Sequence, residues 1–84
     1  MDHVTDSLLV GDAEDVSDHD SIRAAGVTVV ISLTHDSPAT PARGYRVVDR
    51  PLVDGPRNDP ERFVAAVDTL RSLLDDGVRV LVHS

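Results

Sequence analysis

Two adjacent residues raise the question of chemistry in this 84-residue sequence. In "VRVLVHS", residues 78–84, a β-forming run delivers an imidazole, His83, and a hydroxyl, Ser84, to the end of a strand. Such an ending is how a phosphate-handling loop begins. A second titratable group, Asp54, precedes Gly55-Pro56 in "PLVDGPRND". Locally it reads as a turn aspartate that bonds its own backbone. Asp59 reads as a helix cap and Arg57 as a solvated loop arginine. His3, His19 and His35 share no ligand spacing such as i, i+4 and read as surface residues; cysteine is absent. No metal site is predicted.

The elements that must position these groups follow from periodicity and punctuation. "SLLVGD", 7–12, is an apolar run stopped by Gly-Asp and reads as a first strand. "SDHDSIRAAG", 17–26, predicts one short helix, with Ser17 as N-cap and Gly26 as stop. "VTVVISL", 27–33, is almost continuously apolar and β-branched, as in a central strand buried on both faces of a parallel sheet. A loop, 34–44, precedes a strand over 45–52 that Pro51 ends, and a second loop covers 53–59.

The best-specified helix lies in 58–77. Asn58 or Asp59 caps it, Pro60 opens the first turn, Glu61 completes a capping box and Gly77 stops it. Phe63, Val67, Leu70 and Leu74 form an apolar stripe, with Val64, Ala66 and Leu73 beside it. The last strand, 78–82, follows directly. The order β, α, β, β, α, β predicts an α/β sheet with right-handed crossovers, and ligands in such sheets sit beyond the strands' carboxyl ends. His83 and Ser84 fall at that edge.

Composition narrows the function classes. A net charge of −7 with scattered arginines argues against a nucleic-acid surface. No stretch is apolar enough for a membrane span, and the start lacks signal-peptide character, so a cytoplasmic protein is expected. All eight basic residues are Arg, and thirteen of the fifteen acids are Asp. That bias fits a halophile's surface of short, hydrated carboxylates, with nucleotide bias in a GC-rich genome as the rival explanation.

"LLVGDAEDVSD", "AAGVTVVISLT", "YRVVDRPLVDGPRND", an amphipathic helix and "VRVLVHS", in that order, resemble the first part of a dual-specificity or tyrosine protein phosphatase, across essentially all 84 residues. The resemblance implies an α/β fold, a dual-specificity-phosphatase-like sheet flanked by helices and incomplete at the C-terminus, with 1–84 as the N-terminal part of one domain. The family's last strand enters "HCxxGxxR", whose backbone N–H groups and arginine hold the substrate phosphate around a nucleophilic thiolate.

By this resemblance Ser84 takes the cysteine's position, His83 supports the loop, and Asp54 is the general acid that protonates the leaving oxygen. No cofactor or metal is implied. The partner would be a phosphorylated protein or a small phosphomonoester. The sequence departs from the pattern at Ser84, since a hydroxyl is not ionised near neutral pH by donors that lower a thiol pKa, and in lacking the loop's glycine and arginine. The chain as written is therefore expected to be inactive. An engineered Cys→Ser change, a natural pseudo-phosphatase and a disrupted reading frame all account for Ser84.

With no loop to orient, His83 reads in this chain as a half-buried histidine with a backbone partner. Two rival classes stand beside the phosphatase. One is a non-catalytic module binding phosphoproteins or a subunit, with a complementing chain or self-association covering an open sheet face. The other is a sulfurtransferase-like sheet, which the acidic loop and helix order fit less well.

Overall fold

The computed structural model describes residues 1–33, 44–50 and 60–83. Within them five strands form one sheet: β1 (Asp2–His3), β2 (Leu8–Gly11), β3 (Val29–Ser32), β4 (Arg46–Asp49) and β5 (Val80–His83). Their order is β1-β2-β5-β3-β4. β1 is antiparallel to β2, and every other pair is parallel. The last strand in sequence is thus the middle of the sheet, and β3 lies beside it with all four residues buried. The expected α/β class stands.

Helices cover both faces. α1 (Ala13–Ser17) and α2 (His19–Ala24) bring Val16 and Ile22 onto Leu9, Val30 and Leu81. α3 (Pro60–Asp75) sets Leu70, Leu73 and Leu74 against Val29, Ile31 and Val80 on the opposite face. The period-2 alternation of strands explains the division, because Val80 and Leu81 must point to opposite layers. Leu9, Ile22 and Leu81 are wholly buried. Each such side chain contributes about 1.5–3 kcal/mol by burial. Gly26 and Gly77, both at φ 77°, follow α2 and α3 in a conformation that costs a side-chain-bearing residue more.

The structure corrects four expectations. The helix expected over 17–26 is α2, His19–Ala24, and a second short helix, α1, stands before it, because Asp12 and Asp18 each cap one. Asp12 accepts from the Asp15 N–H while Asp15 accepts from the Asp12 N–H, closing a capping box, and Asp18 accepts from the Ser21 N–H. Ser17 is not a cap. It is the last residue of α1, and its hydroxyl donates to the Ala13 carbonyl at 2.9 Å.

β1 was absent from the expected order, since two exposed polar residues carry no periodic signal. A turn holds it, with the Val4 N–H donating to the Leu8 carbonyl at 2.8 Å. The α3 stripe is only partly covered. Phe63 and Val64 are 54% exposed and Val67 44%, whereas the stripe's later residues pack on the sheet. His19 is not a bare surface residue: its ring stacks on Tyr45 and its Nδ1 shares a hydrogen bond with the Tyr45 hydroxyl.

Candidate functional site

The carboxyl ends of β2, β5, β3 and β4 align. Gly11 pairs with His83, His83 with Ser32, and Ser32 with Asp49, which gives one row across the sheet. The Leu33 N–H donates to the His83 carbonyl at 2.8 Å, and the Arg50 N–H to the Ser32 carbonyl at 2.8 Å, so backbone bonds hold the row to its end. Alternation along the strands puts Ser32 with Val30, and His83 with Leu81, on the α1/α2 face.

His83 therefore ends the middle strand as expected, but its surroundings differ from expectation. It is 4% exposed rather than half-buried, and its Nδ1 has no hydrogen-bond partner among the described residues. Ser32, which sequence reasoning passed over as part of a buried strand, is 0% exposed, and its Oγ is likewise unpartnered. A single serine in an apolar run is the signal that could have marked it. Asp54, Ser84, Asp59, Arg57 and His35 lie outside the described residues. His3 is exposed on β1, at the far edge of the sheet.

Close to the row, α1 begins over Gly11. The Asp15 carboxylate accepts from the Asp12 N–H at 3.0 Å through Oδ2 and from the Met1 amine at 3.0 Å through Oδ1. These bonds, the Asp12 N–H first, hold its carboxyl below the usual 3.8. The Asp15 hydrogen bond raises the Met1 amine above 8.0. At Asp18 the Ser21 hydroxyl and then the Ser21 N–H lower the carboxyl. Among the described residues no cluster of His, Cys, Asp or Glu could hold a metal ion. No helix among them is long and apolar enough to cross a membrane.

On the other face a small apolar cleft of about 80 Å³ opens between α3 and the strand ends. Ile31, Leu33, Phe63, Ala66, Val67 and Val82 contribute to its lining. It offers surface for packing but no group for acid, base or nucleophilic work.

No protein-family model matches the sequence. A 32-residue stretch is 56% identical to phosphoglycerate kinase of Corynebacterium urealyticum, covering 38% of this chain and 8% of that enzyme. So small a share of either chain describes a segment and not a domain. Solved structures are similar over the whole fold. DUSP15 is 26% identical over 100% of this chain at a TM-score of 0.81, and a point variant of human DUSP28 is 25% identical over 98% at 0.82. Human DUSP28 itself is 24% identical over 100% at 0.83.

This chain covers 54% of DUSP15 and 59% of human DUSP28, so it spans little more than half the length of either. The five-stranded sheet with helices on both faces is the dual-specificity-phosphatase-like fold.

Proposed function

We propose that this chain is the sheet-bearing part of a dual-specificity-type phosphatase domain, with position 84 as the nucleophile position and Asp54 as general acid. The observation that carries the reading is β5: it is the middle strand, parallel to both neighbours, and His83 at its carboxyl end directly precedes residue 84 in sequence. Strand ends of parallel sheets are where ligands bind. The parent reaction is hydrolysis of a phosphomonoester in two displacements. A thiolate takes the phosphoryl group while Asp54 protonates the leaving oxygen, and then water, deprotonated by Asp54, frees phosphate.

With serine at position 84 this sequence does not form the phospho-cysteine, and the chain is inactive. The test is turnover of p-nitrophenyl phosphate by the native gene product, its sequence past position 84 established by mass spectrometry. We expect no turnover with Ser84, turnover with Ser84→Cys, and its loss on adding Asp54→Asn. Hydrolysis by the serine form at the rate of the cysteine form refutes the assignment.

The second reading, a non-catalytic module that docks a phosphoprotein or a subunit, is favoured by the exposed Phe63, Val64 and Val67 beside the apolar cleft. Sedimentation with ANS binding separates the two: a compact monomer that leaves ANS dark argues against an open docking face.

A further inference from the structure

Two buried polar side chains with no partner stand next to each other at the ligand-binding edge. Ser32 and His83 are a register pair on neighbouring parallel strands, on the same face. They are 0% and 4% exposed. Ser32 Oγ and His83 Nδ1 are the buried side-chain polar atoms left without a hydrogen bond among the described residues. Leaving each unsatisfied costs about 1–3 kcal/mol, and buried polar groups are rarely left so. Neighbouring strands lie about 4.8 Å apart, a span that a rotated hydroxyl closes directly or one shared water bridges.

The rest of the row offers His83 no alternative. Its other register neighbour is Gly11, which has no side chain. Asp15, over Gly11, already accepts from Met1 and Asp12. Direction follows from proton accounting. With Nδ1 as the acceptor the ring proton lies on Nε2, which is not among the stranded atoms. If Nδ1 carried the proton and donated to Oγ, the serine proton would itself be buried without an acceptor, and orphaned donors are the rarer defect.

We propose that the Ser32 hydroxyl donates to His83 Nδ1, directly or through one buried water, and holds His83 as the Nε2–H tautomer. Ser32 is then a positioning residue for the strand end. What it positions, the start of a phosphate-binding loop, rests on the phosphatase reading of residue 84; the pair itself does not.

The experiment is long-range ¹H–¹⁵N correlation of the histidine rings in the full labelled chain, with Ser32→Ala and Ser32→Thr variants. The unaltered protein should show His83 as a single Nε2–H tautomer with a hydrogen-bonded Nδ1. Ser32→Ala should lose the hydrogen-bonded Nδ1 shift and give a tautomer mixture, and Ser32→Thr, which keeps the hydroxyl, should restore it. An Nδ1–H tautomer in the unaltered protein overturns the proposal whether or not either variant folds. So does a folded Ser32→Ala with an unmoved Nδ1 shift. If the tautomer depends on Ser32 while Ser84→Cys in the native gene product never turns over a phosphomonoester, the pair stands and the phosphatase reading falls. Turnover with a Ser32-independent tautomer gives the reverse.

Discussion

Gly11→Ala tests whether the start of α1 is built against the strand end. In an ordinary strand interior the change stabilises, because alanine loses less backbone entropy on folding, by about 0.5–1 kcal/mol. Here the structure reverses the sign. A Cβ on Gly11 would stand 2.9 Å from Asp15 Oδ2, 3.0 Å from Asp15 Cβ and 3.2 Å from Leu81 Cδ1. The carboxylate cannot swing away freely, since it holds the Asp12 N–H and the Met1 amine. Moving it forfeits part of a capping box, worth about 1 kcal/mol, and overpacking adds about 1–3 kcal/mol.

Less the backbone gain, Gly11→Ala should destabilise by about 1–3 kcal/mol. At about 4–8 °C per kcal/mol for a domain of this size, that is a readily measured drop in Tm. Urea unfolding gives the free energy directly. In an Asp15→Ala background that half of the capping box is already lost, so the added cost of Gly11→Ala should shrink by about 1 kcal/mol. A neutral or stabilising Gly11→Ala, or a cost unchanged without the carboxylate, refutes the reasoning.

Stability should fall at both ends of the pH range. Asp15 and Asp18 have folded pKa values below 3.8, so their contribution is complete above 3.8 and lost as pH falls through the lowered values. The Met1 amine is raised above 8.0, so its contribution is complete below 8.0 and lost as pH rises through the raised value. Urea midpoints across pH should show both limbs; an acid limb unchanged in Asp15→Asn with Asp18→Asn contradicts the assignment. We also propose that the aspartate-rich, lysine-free composition is a halophile's, in which case Tm should climb from dilute buffer to molar salt as the Debye length falls from about 10 Å at 0.1 M to about 3 Å at 1 M. A melt by circular dichroism that does not move with salt removes that explanation.

Local rules in the sequence determined much of this protein. Gly26 and Gly77 mark the helix stops, the almost continuously β-branched run at 27–33 marks a strand buried on both faces, and the run before His83 marks the strand that carries it. These signals lie within a few residues of what they specify, so they can be read without the fold. Tertiary structure alone decided that β5 enters between β2 and β3, and that α3 covers Leu70, Leu73 and Leu74 while leaving Phe63 and Val64 in solvent. It alone set Ser32 beside His83 and turned Gly11 from a turn signal into the space that Asp15 fills. Each of these is a matter of register between segments distant along the chain. Periodicity states which face a residue takes, and only the pairing of strands states whom it meets there.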